Sequence, residues 1–372
     1  MSIILINATA ARCSGALTIL NQFVTHIKQN DGNFYYIFVD TNYVPVSLFA
    51  NIKYIHIDTT AWGKRIFWDN WGFKRYVQAN ALNPSLIISF QNTGVRYNEN
   101  IPQLIYYHQA LPLFEKQWNF FKSQERLFFL YKYLYSYFVS QSIHKNVFFV
   151  VQIQSIKEAF LQRYNISSER VHVLPPEIQT IDYGKVSRVD FEDGKKHFIY
   201  PASPHLYKNH SLLLKALHLI KKRNVTLFQM IRLHLTLSED DVLDLSKQVH
   251  NLGVEDAIVY EGVLPFQKLL ACYKSMDALL FPSYIETFGL PLLEAAGAGM
   301  SIIASDLPYV HDVIGGYEGV SYQNYEDVEA WASAIESLCL REKKSYAPFQ
   351  YLLNKGTWND FFTLMNELKI KD

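Results

Sequence analysis

Short runs of β-branched and aromatic residues alternate with longer stretches of helical periodicity along nearly the whole chain, and no other feature narrows the fold as much. Such alternation implies βα units, whose strands lie parallel because each crossover returns the chain to the same end of a sheet. In the first half the strand candidates are "SIILINA", "FYYIFVD", "IKYIHID", "SLIISF", "QLIYYHQ" and "VFFVVQ". In the second half they are "HFIYPA", "IRLHLTL", "AIVYEG", "DALLFPS" and "SIIAS". Stretches such as "SGALTILNQFVTHIKQ" and "NHSLLLKALHLIKKR" read as the intervening helices. The fold class is therefore α/β, with doubly wound parallel sheets.

A chain of 372 residues is too long for one typical core, so two domains are expected. The join is placed in "LPPEIQTIDYGKVSRVDFEDGKK", Leu174 to Lys196, where prolines, glycines and charges separate two βα patterns. The domains are taken as 1–178 and 197–356, with a linker at 179–196 and a terminal helix at 357–372. Two such domains imply a cleft at the carboxyl ends of their strands, where ligands usually bind. Basic and acidic residues balance at 35 each, so nothing in the overall charge recruits nucleic acid. Cys13, Cys272 and Cys339 are scattered without a CxxC or Cys/His pairing, which points to a reduced compartment and no structural zinc. The start lacks a basic n-region and reads as a first strand and turn rather than a signal peptide. No run reaches the roughly 20 apolar residues of a membrane span.

The stretch "PSYIETFGLPLLEAAGAG", Pro282 to Gly299, carries the sharpest chemical signal. Pro291 suits a first helical position, and Gly297 and Gly299 suit a helix end. Glu286 then belongs to the loop entering the helix, and Glu294 to the start of the helix itself. A solvated acidic helix start would explain both carboxylates. Against it, the helix is otherwise almost entirely apolar, which argues that Glu294 does not face open water. A helix N-terminus offers free N–H groups to a phosphate, and Gly289 lets backbone approach a ligand. Carboxylates beside such a turn can accept hydrogen bonds from sugar hydroxyls, so a sugar–phosphate ligand fits.

Weaker candidates lie elsewhere. In "PASPHLYKNHSLLLKAL", Lys208 and Asn209 stand at a helix mouth, where a lysine is slightly unfavourable against the dipole and suited to phosphate oxygens; an exposed lysine is the plain alternative. Gly15 in "ARCSGALTIL" fits an ordinary turn as well as a binding loop, and no GxGxxG fingerprint is present. His108 ends the apolar strand "IYYHQ" and points at the expected cleft, although a lone histidine is more often structural. Glu239 to Asp241 reads as a helix N-terminal charge cluster rather than a metal site.

Together these motifs resemble the GT-B glycosyltransferases of glycosyltransferase family 4, and bacterial lipopolysaccharide O-antigen or capsule enzymes among them. The segment from "FPSYIETFGLPLLEAAGAGM" to "HDVIGG" is similar to that family's E-x7-E region, "YPASPHLYKNHSLLLKAL" to its phosphate-lysine segment, and "VHVLPPEI" to the strand closing its first domain. The resemblance implies two Rossmann-like domains across a cleft, and a retaining, metal-independent hexosyltransferase with no cofactor beyond a nucleotide-diphosphate sugar as donor substrate. It implies Glu294 on the ribose, Glu286 on the donor sugar, Lys208 on the diphosphate, and backbone at Phe288, Gly289 and Leu290 near sugar and phosphate. It places the base near Gly262 and Val263, His108 by the reacting sugar, and the Gly15 loop at the donor. The family's arginine, about five residues before its lysine, has no counterpart in the stretch Ala202, Ser203, Pro204, His205. That departure supports one alternative, a catalytically silent nucleotide-sugar-binding protein; a GT-B phosphorylase or epimerase is another.

The resemblance also implies a saccharide or lipid-linked acceptor and a cytoplasmic location, peripheral on the inner face of a bacterial inner membrane. Residues 115–145 hold Lys116, Lys122, Arg126, Lys132 and Lys145 among many aromatic residues. A basic aromatic helix of that kind can lie in an anionic headgroup region, while a core helix with a solvated basic edge is the alternative.

Overall fold

Near-continuous apolar strands separated by amphipathic helices can be buried only if helices cover both faces of a sheet, and this chain builds two such sheets. The structure is a computed structural model that describes residues 2–12, 14–351 and 358–369; Cys13 lies outside them. The chain divides into two compact units, Met1–Ile178 with Leu353–Asp372, and Gln179–Leu352.

The first unit holds β1 (Ser2–Ala8), β2 (Asn33–Val39), β3 (Ile52–His56), β4 (Pro84–Ser89), β5 (Gln103–Tyr106), β6 (Val147–Val151) and β7 (Val171–Val173). They run parallel in the order β3-β2-β1-β4-β5-β6-β7. Side chains of β1 alternate between two cores, as the two-residue period of a strand demands. Ile4 and Ile6 pack with Phe23 of the helix Ser14–His26 and with Phe361 and Met365 of the helix Trp358–Leu368. Leu5 packs on the other face with Phe38, Trp68 and Phe73. Burying one such aromatic side chain contributes about 2–3 kcal/mol.

The second unit holds β8 (Lys196–Tyr200), β9 (Ile231–Leu235), β10 (Ile258–Tyr260), β11 (Ala278–Phe281), β12 (Ser301–Ser305) and β13 (Val320–Gln323). They are parallel in the order β10-β9-β8-β11-β12-β13. β13 escapes the sequence reading because "VSYQ" is a half-exposed edge strand without an apolar run.

Two expectations need amendment. Of residues 179–196, read as linker, Lys196 opens β8 and the stretch before it is docked on the second unit. Lys274 Nζ donates to the carbonyls of Tyr183 and Val186, both at 2.7 Å, and Ser275 Oγ accepts from the Val189 amide at 2.7 Å. The basic stretch 115–145 is not one amphipathic helix either, since its helical part begins at Arg126 and ends at Gln141. Lys132 turns inward and caps the carbonyls of Phe114, Glu115 and Lys116 at 2.6–3.0 Å. Its ammonium therefore stabilises a chain reversal and is absent from the basic surface. No helix among the described residues is long and apolar enough to cross a membrane.

Candidate functional site

Each sheet reverses its strand order once, and the loops leaving the strands on either side of a reversal diverge to leave a crevice. In the second unit the reversal lies between β8 and β11. The loop after β8 carries Lys208 on a single 3₁₀ turn, Leu206–Lys208, and the loop after β11 carries Glu286. This explains how residues 78 positions apart meet: Lys208 Nζ donates to Glu286 Oε1 at 2.5 Å, with 15% and 14% of the side chains exposed. Neighbouring contacts hold both loops. The Tyr284 amide donates to Tyr207 O at 3.0 Å, Tyr200 Oη to Lys208 O at 2.6 Å, and Tyr309 Oη to Ser283 O at 2.7 Å. The ammonium has three protons and uses one on Glu286, so it can still donate to phosphate oxygens while the carboxylate accepts from hydroxyls.

Of the other expected residues of this unit, Asn209 and Gly289 shape the backbone, Leu290 and Val263 are exposed, and Phe288 and the Glu294 carboxyl are buried. Asn209, at φ 60°, spends its amide on the carbonyls of Tyr325 and Pro282, at 2.8 and 3.4 Å, and so anchors the loop. Gly289 has φ 93°, a conformation side chains disfavour, and a Cβ there would sit 3.2 Å from Leu292 Cδ1. It caps the helix Leu290–Gly297, in which Pro291 occupies the first turn, Phe288 is buried ahead of it and Leu290 is exposed. Glu294 lies in the second turn of that helix. Its Oε2 accepts from Tyr273 Oη at 3.1 Å, and burial raises its carboxyl pKa against that hydrogen bond. Gly262, at φ 64°, follows β10, and Val263 beside it is 93% exposed. His205, which stands where the arginine is missing, stacks on Tyr207 and has its pKa lowered by burial and then by Lys208.

The remaining two residues belong to the first unit. Gly15 sits exposed in the first turn of the helix Ser14–His26, with open space where a Cβ would be. His108 lies just past β5; its backbone N–H donates to Asn92 Oδ1 at 2.6 Å. Burial, and then the charge of Arg65, lower its pKa to about 4, so the ring is neutral at pH 7. It can exchange hydrogen bonds there without carrying charge.

The sequence reading missed Asp69, Arg65 and Asn92. Asp69 Oδ1 accepts from Asn7 Nδ2 at 3.0 Å and Gln91 Nε2 at 2.7 Å, while Arg65 Nε stands 3.8 Å from Oδ2. Burial nevertheless pushes this carboxyl up to about 6. The only hint in the sequence is "WDNW", a carboxyl and an amide between tryptophans, with no period to place them. Among the described residues no cluster of three histidines, cysteines or carboxylates could hold a metal ion.

Residues 186–351 match the family described as glycosyl transferases group 1. The chain is 25% identical over 214 residues to the O-antigen chain mannosyltransferase RfbU of Salmonella typhimurium (strain LT2), covering 56% of each protein. The chain thus spans about half the length of the curated relatives it matches. Among solved structures it superposes on WaaG, a glycosyltransferase involved in lipopolysaccharide biosynthesis, with a TM-score of 0.63 at 12% identity, covering 91% of this chain and 90% of that one. Anabaena Alr3699/HepE in complex with UDP gives a TM-score of 0.56 at 14% identity, covering 91% and 89%. Two parallel-sheet α/β units with these neighbours are the GT-B fold.

Proposed function

We infer, from a chain whose residues 186–351 match the group 1 glycosyl transferases, that the protein moves a hexose from a nucleotide-diphosphate sugar to a saccharide or lipid-linked saccharide. The setting is bacterial surface polysaccharide synthesis, lipopolysaccharide O-antigen or capsule, in keeping with its similarity to an O-antigen mannosyltransferase. The observation that carries this reading is the Lys208–Glu286 pair at the strand reversal of that domain. A cation fixed beside a carboxylate suits a leaving diphosphate and an adjoining sugar, since charge stabilisation arranged in advance lowers a barrier most. In the reaction we propose, Lys208 offsets charge on the leaving diphosphate, Glu286 holds donor hydroxyls, and Glu294 holds the ribose. His108, neutral at pH 7, addresses the reacting sugar. Configuration is retained and no metal participates, so transfer should continue in EDTA.

Calorimetry tests the donor site. Lys208→Ala removes a charge-assisted contact worth about 1.5–3 kcal/mol, so UDP or GDP affinity should fall tenfold or more. Unchanged affinity for both nucleotides would remove the assignment. One feature favours a second reading, a silent nucleotide-sugar binder: residues 201–207 supply no arginine or lysine. Binding without transfer to any saccharide would select it.

Location follows as a further part of the proposal. Phe121, Leu127, Leu134 and Tyr137 are exposed near Lys122 and Arg126 in sequence. We assign to this surface weak peripheral contact with an anionic bilayer on the cytoplasmic face, by about 1 kcal/mol per adjacent cation. Equal co-sedimentation with anionic and neutral vesicles at low salt would overturn it.

A further inference from the structure

The first unit encloses a cavity of about 590 Å3, within the range typical of small-ligand sites. Its walls are two helical segments, 62–79 and 126–141, and both are interrupted by a π-helical turn, Trp68–Gly72 and Tyr131–Tyr135. Such turns make up well under 1% of residues and frequently occur at functional sites. Here both contribute to the same cavity: Asp69, Asn70 and Trp71 line it from one turn, and Tyr135 from the other.

The floor is polar and held in place. Gln91 organises it, its side-chain amide donating to Asp69 Oδ1 and its backbone carbonyl accepting from Arg65 Nη2 at 2.9 Å and Tyr135 Oη at 3.0 Å. Asp69 Oδ2 has no closer partner among the described residues than Arg65 Nε at 3.8 Å. The rim is aromatic and open, with Trp62 and Trp71 about half exposed and Tyr137 57% exposed. Two arginines, Arg65 and Arg96, stand against two carboxyl groups, Asp69 and Glu99, so neither an anion nor a cation is selected. A lipid tail would desolvate the floor without replacing its hydrogen bonds, which is costly. A sugar ring offers what the floor and rim lack, hydroxyls for the carboxyl and guanidinium and C–H faces for the indoles.

We propose that this cavity is a subsite for an uncharged glycosyl ring of the acceptor, with Asp69 and Arg65 taking ring hydroxyls and Trp71 covering a face. The proposal rests on the glycosyltransferase reading and names the chemistry of its acceptor: a neutral saccharide, recognised away from the lipid or phosphate to which it is attached.

The full chain can be titrated with methyl α-mannoside, methyl α-glucoside, methyl α-galactoside and their disaccharides, following tryptophan fluorescence, with UDP and GDP titrated separately. At least one glycoside should shift the emission. Trp71→Ala and Asp69→Asn should each weaken that binding about tenfold or more while leaving nucleotide affinity unchanged, which also shows that the variants are folded. Glycosides that fail to bind, that bind both variants as tightly as the parent, or that are displaced by a nucleoside or by neutral vesicles would overturn the subsite. Failure of UDP and GDP to bind the parent chain, with glycoside binding and its Trp71 dependence intact, would remove the donor assignment and leave the cavity's role standing.

Discussion

The two sheets share the order of their first six strands, to which the first sheet adds β7, and solve the same problem differently. Where the first reverses, Asp69 is held by the neutral amides of Asn7 and Gln91; where the second reverses, Glu286 is held by the ammonium of Lys208. The amides satisfy hydrogen bonds without cancelling charge, and Arg65 at 3.8 Å offsets burial only in part, so burial governs Asp69 and raises its pKa to about 6. A cation supplies both. The first arrangement gives a carboxyl that changes state close to neutrality, and the second gives a lysine hydrogen-bonded directly to a carboxyl oxygen. The first suits recognition of uncharged hydroxyls and the second suits a phosphate beside a sugar.

Breaking the Lys208–Glu286 pair should have the largest effect at constant pH. Lys208→Ala strands a half-buried carboxylate and should cost about 2–3 kcal/mol in urea denaturation, below the range for fully buried pairs because both side chains keep some solvent. Adding Glu286→Ala should recover most of that loss. A double variant as unstable as the single one would show that the pair does not hold these loops.

A pH titration of stability probes the other half of the contrast. The Asp69 carboxyl has a pKa of about 6 when folded against 3.8 for the free group. Between those values the folded state keeps a proton the unfolded chain has lost, so its contribution falls as pH rises through the window, by about 3 kcal/mol. Asp69→Asn should flatten that slope, and an unaltered slope would refute the account.

Of opposite sign, and smaller when read near pH 5.5, is the effect of His210 in the second unit. Burial, then Lys208, lower its pKa from 6.5 to about 4, so the unfolded chain takes a proton that the folded state refuses. Stability should drop on acidification through that window, by about 1 kcal/mol near pH 5.5. His210→Gln should lose less than the parent there, and equal losses would count against it.

Much of the second unit was legible from residue order because its signals are local. Pro291 at a first helical turn, Gly289 at positive φ and apolar strands bounded by turns all act within a few residues. The first unit was less legible. Lys132 looks like surface charge until its ammonium is seen on three carbonyls 16 to 18 residues earlier. Asp69 sits in a π turn, and no 3.6-residue pattern reveals where such a turn adds its extra residue.

The sequence by itself determined the class of fold and the composition of the loops that carry Lys208 and Glu286, since alternating βα patterns admit few topologies and helix caps are written in adjacent residues. Tertiary structure alone decided which charges meet. Lys208 and Glu286 are brought together because β8 and β11 are neighbours in the sheet, and Asp69 meets Asn7 and Gln91 because β1 and β4 are. Strand adjacency is settled by the packing of whole layers, and no window of local sequence contains it.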